Sequence, residues 1–310
     1  MVPSVADPLA AWLQERLGVE LVDRAPVGGG CIHGAWALHT AGGDRLFAKT
    51  NRADRLPLLE AEAEGLAALR PLAPEGLVIP EPLAWGVAGD QAVLVMPWLA
   101  FRRGADSSNA WGECGANLAR LHRLSLQPGP REDGGHRFGW RADNFIGGSP
   151  QLNGWRDNWA TFFIDCRLQP QLAWLAGQGQ PVRGAERLLE GLRPWLAGHG
   201  PEPCLVHGDL WSGNAALLSG GGGTLFDPAI YRGDREVDLA MARLFGGFPE
   251  AFFNGYNEAW PLPEGWQQRV ELYNLYHLLN HANLFGGGYK HQAQSVVGTL
   301  LDLIEQERRN

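Results

Sequence analysis

Lysine is almost missing from this 310-residue chain, because only two of its 26 basic residues, Lys49 and Lys290, are lysines. Arginine and lysine are not interchangeable, so a lysine kept in an arginine-rich chain can mark a place that needs a compact ammonium group. Acidic residues outnumber basic ones by 34 to 26, which leaves a formal net charge of −8. That balance argues against nucleic acid or an anionic membrane surface as a partner.

Paired cysteines and long apolar runs are also missing. The four cysteines lie far apart without a CxxC pair, which fits neither a zinc ribbon nor a disulfide scaffold; they are Cys31, Cys114, Cys166 and Cys204. No apolar run approaches the roughly 20 residues of a membrane span, and the first 13 residues do not resemble a signal peptide. We therefore expect a cytoplasmic protein without membrane contact, as a monomer or a homodimer.

The pattern of apolar residues changes near residue 100. Before it, short β-type runs separated by glycine turns predict strands at 21–27, 35–40, 45–48 and 92–96, with helices at about 8–17 and 56–70. After it, apolar spacings of three and four predict helices at 109–124, 155–168, 185–196, 236–245 and 266–285. A short strand at 204–206 and a hairpin of 215–218 with 224–226 interrupt those helices.

These elements predict an α+β fold of two lobes. The N-terminal lobe, residues 1–98, is small, antiparallel and β-rich, and the C-terminal lobe, residues 99–310, is larger and mostly helical. Two lobes joined by one connector form a cleft, which is a common place for a ligand.

The strongest chemical motif runs from His207 to Asn214 and is followed by Asp227 after the predicted hairpin. Phosphoryl transfer from ATP needs a carboxylate that accepts the proton of the attacking hydroxyl, and oxygen ligands that hold Mg²⁺ on the phosphates. The five-residue interval from Asp209 to Asn214, followed by a second aspartate, is also found in the protein-kinase signature. We therefore predict Asp209 as the catalytic base, with Asn214 and Asp227 as ligands of Mg²⁺.

A second motif places Lys49 on the third predicted strand, ahead of a helix with three glutamates. A strand lysine can hold ATP phosphates if a carboxylate fixes its ammonium group. Glu62 shares the inward stripe of Leu59 and Leu66, whereas Glu60 and Glu64 point about 160° away and are expected in solvent. Glu62 is therefore the predicted partner of Lys49.

A glycine-rich segment between the first two strands is the third motif. Glycines let backbone N–H groups approach phosphate closely, so with Lys49 downstream we predict that the segment covers the ATP phosphates; its residues are Gly28, Gly29, Gly30, Cys31 and Ile32. Backbone amides and the nearby ammonium would also lower the pKa of the Cys31 thiol. Cys31 is therefore a candidate redox-sensitive residue.

The sequence resembles the fructosamine kinase (ketosamine-3-kinase) family, a branch of the aminoglycoside-phosphotransferase-like kinases. The resemblance extends nearly end to end, and its most specific parts are Trp211-Ser212-Gly213 within the motif 207–214, the stretch 143–147 with 151–153, and the stretch 233–241. The other matches are 28–32, 47–49, Glu62 with Leu66, 118–122, 138–140, 143–147, 151–153, 159–163 with 167–168, 227–229 and 234–241. The resemblance implies a protein-kinase-like fold with ATP and Mg²⁺ as cofactors.

The family resemblance also implies a reaction, which is ATP-dependent phosphorylation of the sugar 3-hydroxyl of a fructosamine or ribulosamine. Such ketosamines form when sugars glycate amines, and the acceptor would be a small molecule or a glycated protein. The phosphorylated product releases the free amine, which links the family to deglycation repair.

Two further groups of binding residues are expected. Adenine would bind at the connector formed by Met96, Pro97, Trp98 and Leu99. Because proline has no N–H, the Pro97 carbonyl and the Leu99 amide are the expected contacts. On the acceptor side, the candidates are Asp143, Asn144 and Trp211.

Two alternatives remain open from the sequence. One is a kinase of another small hydroxyl compound, such as an aminoglycoside, a choline-like alcohol or a free sugar. The other is a non-catalytic pseudokinase that binds partners, although retention of the full set of kinase residues argues against it.

Overall fold

The computed structural model describes residues 7–28, 33–102, 108–126 and 137–309. In the N-terminal lobe, helix α1 (Pro8–Leu17) precedes strands β1 (Leu21–Pro26), β2 (Gly34–Thr40) and β3 (Arg45–Arg52). Helix α2 (Leu56–Leu69) follows, and strands β4 (Leu77–Val78), β5 (Ala84–Ala88) and β6 (Gln91–Pro97) complete the lobe. Five strands form one antiparallel sheet in the order β1-β2-β3-β6-β5.

Strand β6 shows how the sheet separates two packing layers. Side chains alternate between the faces of a strand. Accordingly, Val93 and Val95 pack in the cluster that contains α1, whereas Leu94 and Met96 pack in the cluster that contains α2. The central strands are therefore covered on both sides, which holds the residues of β3 in fixed positions.

The C-terminal lobe begins with α3 (Ser108–Leu124) and a small hairpin of β7 (Asn144–Ile146) with β8 (Ser149–Gln151). Helices α4 (Trp159–Phe163), α5 (Gln169–Gly177) and α6 (Ala185–Trp195) follow, with a π-helical turn at Ile164–Leu168. Strand β9 (Cys204–Val206) pairs with β12 (Tyr231–Gly233), and β10 (Ala215–Leu217) pairs with β11 (Gly223–Leu225). The last four helices are α7 (Glu236–Leu244), α8 (Glu250–Ala259), α9 (Trp266–Phe285) and α10 (Gly288–Glu307).

The two lobes share a hydrophobic core. Leu59 and Leu66 of α2 belong to the same buried cluster as Leu118 of α3 and Phe252 of α8. Strand β4 also crosses the lobe boundary, since it pairs in parallel with β11. The division at residue 98 stays a prediction, and residues from its two sides pack into one buried cluster.

The predicted elements agree with the structure in most places, and the differences have local causes. The helix expected at 155–168 begins only at Trp159, because Arg156 pairs with Phe138 in a β-bridge and the Asn158 side chain caps the helix. Strands β4, β5, β7, β8 and β12 and helices α5, α8 and α10 were not predicted. Within the described residues, no helix has the length and apolar character needed to cross a membrane.

Candidate active site

Residues 207–214, called the catalytic loop below, are held in place by a buried carboxylate. Asp238, on α7, accepts hydrogen bonds from the backbone N–H groups of His207 (2.7 Å) and Gly208 (2.8 Å). His122 on α3 lies 3.1 Å from the same carboxylate through its Nε2. Gly208 has φ 81°, and a Cβ there would lie 2.0 Å from the Ala229 carbonyl oxygen, so only glycine fits. These contacts fix the direction in which the chain leaves β9 toward Asp209.

Asp209 and Asn214 face each other across the catalytic loop. The Nδ2 of Asn214 donates to the Asp209 carbonyl oxygen at 2.9 Å and to its carboxylate Oδ2 at 3.3 Å. Burial and the Asp227 charge raise the pKa of Asp209, the bond from Asn214 opposes the rise, and the resulting pKa is about 7. Because Nδ2 is used inside the loop, the Oδ1 of Asn214 remains as an oxygen ligand for a cation.

The hairpin of β10 and β11 returns the chain to this loop at Asp227. The Phe226 N–H donates to the Asn214 carbonyl oxygen at 3.0 Å, and Asp227 itself adopts a left-handed backbone with φ 58°. Positive φ is uncommon for a residue with a side chain and often accompanies function. Here it turns the carboxylate of Asp227 toward Lys49, with which it forms an ion pair.

Lys49 forms ion pairs with carboxylates of both lobes. Its Nζ lies 2.7 Å from Glu62 Oε1 and also binds the Asp227 carboxylate, so it has one acidic partner in each lobe. Burial lowers the pKa of Lys49, but the two carboxylates together raise it above its ordinary value. The predicted pairing of Lys49 with Glu62 is therefore present in the structure.

The protonation of this cluster favours an ionised Asp227. Burial raises the pKa of Asp227, but Lys49 outweighs this effect and leaves it below its usual range. Burial raises the pKa of Glu62, and the Asp227 charge adds to the rise, while Lys49 opposes it. Asp227 is thus the stronger acid and carries the charge that a cation would meet.

Helix α2 brings Glu62 to Lys49 because it lies directly against the C-terminal lobe. A Cβ at Gly65 would lie 2.9 Å from the Pro228 side chain, so the helix approaches the segment after Asp227 closely. One residue earlier, Glu64 accepts hydrogen bonds from Trp140 Nε1 (2.6 Å) and Arg141 Nε (2.8 Å). The expectation that Glu64 lies in solvent was wrong, since its side chain is only 30% exposed.

The chemistry of this donor set fits Mg²⁺. The free oxygen of Asn214 and the ionised Asp227 carboxylate are hard oxygen ligands, which Mg²⁺ prefers. Lys49 beside them supplies a fixed positive charge for phosphate. Together with Asp209, these side chains form the arrangement that phosphoryl transfer requires.

Comparisons with known proteins show the family of this chain. The model of the family described as "Fructosamine kinase" matches residues 4–303. A Synechocystis sp. protein named "Probable ketoamine kinase" is 44% identical over 297 residues, which cover 95% of this chain and 96% of that protein. The "Protein-ribulosamine 3-kinase, chloroplastic" of Arabidopsis thaliana is 34% identical over 304 residues, covering 96% and 89%. The chain belongs to the fructosamine kinase family.

Solved structures support the same fold. The structure of a "putative fructosamine-3-kinase" from Haemophilus somnus 129PT matches with a TM-score of 0.83 at 26% identity, covering 94% of this chain and 96% of that chain. An aminoglycoside phosphotransferase, APH(4)-Ia, matches with a TM-score of 0.60 at 16% identity, covering 95% and 98%. The predicted protein-kinase-like fold, with its β-rich and helical lobes, is therefore confirmed.

The predicted nucleotide-binding residues of this fructosamine kinase family member lie in two segments, the glycine-rich segment and the connector between the lobes. Gly28 precedes β2, whereas Gly29, Gly30, Cys31 and Ile32 lie outside the described residues, so the phosphate-covering role of that segment stays a prediction. At the connector, Met96 is buried on β6. The other connector residues, Pro97, Trp98 and Leu99, are half-buried.

The Trp98 amide donates to the Arg45 carbonyl oxygen at 3.2 Å, and the Arg45 guanidinium lies 4.0 Å from the Trp98 ring. The backbone N–H of Trp98 is therefore already hydrogen-bonded within the protein. The Pro97 carbonyl and the Leu99 amide stay the predicted adenine contacts.

The three acceptor candidates occupy different kinds of position. Trp211 is 37% exposed beside the catalytic loop, and a Cβ at Gly213 would lie 2.2 Å from its ring. Asp143 is exposed and accepts from the Asn153 backbone N–H at 2.7 Å. Asn144 is buried, and its amide is bound by several groups of the fold, including the Ile230 carbonyl oxygen at 2.8 Å. Trp211 and Asp143 are thus exposed, Asn144 is not, and the acceptor-binding role of all three stays a prediction.

The cysteines differ in their surroundings. Cys114, Cys166 and Cys204 are buried as free thiols, and burial raises the pKa of each, that of Cys114 to about 12. Such thiols are inert, because the thiolate is the reactive form. The redox role expected for Cys31 stays a prediction, since Cys31 lies outside the described residues.

Sequence reasoning missed the contact of Glu64 with Trp140 and Arg141. Helical periodicity placed Glu64 on the side of α2 away from the sheet, but it gave no information about the segment that covers that side. A second acidic residue two positions after Glu62 was the only available signal.

Proposed function

We propose that this chain is an ATP-dependent kinase that phosphorylates the 3-hydroxyl of a ketosamine. The observation that carries the proposal is the convergence of Lys49, Glu62 and Asp227 beside Asp209 and Asn214, in a chain of the fructosamine kinase family. A binding module has no need for this full set of groups. The pseudokinase alternative is therefore not favoured.

Asp209 is the proposed base of the reaction. The acceptor hydroxyl donates its hydrogen to the Asp209 carboxylate, its oxygen forms a bond to the γ-phosphorus, and the bond from that phosphorus to the β–γ bridging oxygen breaks. ADP leaves, and the proton of the hydroxyl remains on Asp209. A base works best when its pKa lies near the operating pH, which fits the raised pKa of about 7.

Lys49 is proposed to hold the ATP phosphates, with Glu62 restraining its ammonium group. Asn214 and Asp227 would hold Mg²⁺, which when bound neutralises charge on the phosphates. Lys49 and Asp227 already form an ion pair, so we infer that nucleotide binding redistributes these contacts rather than building the site anew.

The acceptor is proposed to be a fructosamine or a ribulosamine, free or on a glycated protein. The name of the Arabidopsis relative, a protein-ribulosamine 3-kinase, supports this class. An aminoglycoside is a polycation and would need acids facing the cleft, but Asp234, Glu236 and Asp238 are all buried and bound within the fold. The aminoglycoside alternative is therefore not favoured.

An acceptor panel tests the proposal. ADP formation is measured with Mg²⁺-ATP and fructosyl-lysine, ribulosyl-lysine, fructose, ribulose or an aminoglycoside, and the position of the new phosphate is determined by NMR. We expect turnover with one or both ketosamines and phosphate on the 3-oxygen, with Asp209→Asn as the inactive control. Turnover confined to free sugars or aminoglycosides, or no turnover with any acceptor, would overturn the proposal.

A further inference from the structure

His33 lies directly before β2, at the end of the glycine-rich segment, with a half-buried side chain. Its Nδ1 is 3.0 Å from the Nδ2 of Asn51 on β3. Asn51 comes two residues after Lys49 on this strand, and residues two apart share one face of a sheet. His33 therefore lies on the sheet face that carries the Lys49 side chain.

A second contact of Asn51 decides which nitrogen of His33 carries the proton. The backbone N–H of Arg52 can only donate, and it lies 2.8 Å from the Oδ1 of Asn51. The Asn51 atom that faces His33 is therefore the amide nitrogen, which also can only donate. His33 Nδ1 must accept this bond, so the neutral ring carries its proton on Nε2.

The charges of the phosphate site act on this ring. Burial and, to a smaller extent, the Lys49 charge lower the pKa of His33, the Asp227 charge partly opposes the fall, and the resulting pKa is about 4. His33 is therefore neutral near pH 7 and presents a single N–H donor. A donor of fixed direction complements Lys49, whose ammonium group is a point charge with rotatable donors.

We propose that His33 is a nucleotide-binding residue whose Nε2–H donates to an oxygen of the β- or γ-phosphate of ATP. This inference rests on the proposed function, because it requires the polyphosphate to lie against Lys49 and Asp227. Asn51 acts as a positioning residue, since it sets the tautomer of the ring. A hydrogen bond to a charged group is strong enough that its loss should weaken ATP binding roughly 10-fold.

Two substitutions of different length distinguish the two ring nitrogens. The side-chain amide of His33→Gln reaches the place of Nε2, whereas that of His33→Asn reaches only the place of Nδ1. Calorimetry would measure the Kd of ATP, ADP and AMP for these two variants, for His33→Ala and for the unchanged protein. His39→Ala is the matched control, because His39 is half-buried at the other end of β2, roughly 20 Å away.

We expect His33→Ala and His33→Asn to weaken ATP binding roughly 10-fold, His33→Gln to retain most of the affinity, and AMP binding to stay unchanged in all variants. An equal loss for ADP assigns the contact to the β-phosphate, and an unchanged ADP affinity assigns it to the γ-phosphate. The inference is overturned if all three variants bind ATP as the unchanged protein does, or if AMP affinity falls as much as ATP affinity. If the unchanged protein binds ATP and phosphorylates a ketosamine, such a result leaves the proposed function intact, whereas absence of ATP binding by that protein overturns both.

Discussion

Asp209 is a carboxylate whose surroundings make it a weaker acid than usual. Burial and the charge of Asp227 both raise its pKa, and the value of about 7 lies well above that of a solvated aspartate. The same surroundings reduce the stability of the folded protein once Asp209 is ionised, because its charge is then poorly solvated. The raised pKa that suits Asp209 to its proposed role as a base therefore lowers the stability of the folded protein.

Asp209→Asn tests both the proposed catalytic role of Asp209 and the effect of its charge on stability. We expect kcat to fall by roughly 10²–10⁴-fold, because asparagine cannot accept the hydroxyl proton. At pH 8 the variant should unfold at a temperature no lower than that of the unchanged protein, because it removes a buried charge. Initial rates and thermal unfolding measure the two effects, and full turnover by the variant would contradict the assignment of the base.

The raised pKa of Asp209 also predicts a pH profile. The base must be ionised to accept a proton, so kcat/KM for the acceptor should rise with pH, with a midpoint at about 7, and become level above it. Rates measured between about pH 5.5 and 8.5 check this, with Mg²⁺-ATP binding followed separately over the same range. A rate that is already level at about pH 5.5 would show that the essential base is a more acidic group.

Helix α2 carries two acidic residues, Glu62 and Glu64, that make different contacts. Glu62 faces Lys49 inside the cleft, whereas Glu64 faces Trp140 and Arg141 of the other lobe. Both contacts, together with the close approach of Gly65 to Pro228, restrict rotation of the helix about its axis. The position of Glu62 therefore depends on contacts that the C-terminal lobe makes with the same helix.

Glu64→Ala should misplace Glu62 without removing it. We expect a loss of stability on the order of 1–2 kcal/mol, since a hydrogen-bonded carboxylate is deleted, and a several-fold fall in kcat/KM for ATP. The matched control is Glu60→Ala, because Glu60 is exposed one turn earlier on the same helix and should change neither quantity. Chemical denaturation and ATP-dependent rates measure the effects, and equal behaviour of the two variants would refute the role of Glu64.

The whole molecule is organised around a core that crosses from lobe to lobe. Apolar side chains of α2 and β6 pack with those of α3 and α8, and β4 adds a strand to the hairpin that ends before Asp227. Domains that share a core have no independent stability. The lobes are therefore expected to depend on each other for folding.

Calorimetric unfolding tests this dependence. We expect one cooperative transition, with equal calorimetric and van't Hoff enthalpies, and a shift of the entire transition to higher temperature with Mg²⁺-ATP. The control is Asp227→Ala, which lacks one of the two proposed Mg²⁺ ligands and should show a smaller shift. Two separate transitions, with only one of them moved by nucleotide, would contradict a common core.

Much of the site was predictable because the sequence features that identify it, such as helical periodicity, extend over only a few residues. The inward stripe of α2 identified Glu62 correctly, since Glu62 lies three residues after Leu59 and four before Leu66 on a helix with 3.6 residues per turn. The strand β9 was predicted with its observed bounds, and it places Asp209 at the start of the catalytic loop. Lys49, one of only two lysines in the chain, is buried on β3.

Only the tertiary structure decided which distant residues meet. Glu64 and Trp140 are 76 residues apart, and the Asn144 amide is bound by the Ile230 carbonyl oxygen 86 residues later. The order of residue types determined the elements and the chemical groups, because apolar periodicity and turn chemistry act over a few residues. The choice of partners was determined by how the elements pack, because a hydrogen bond forms between whichever groups the folded chain brings within about 3 Å.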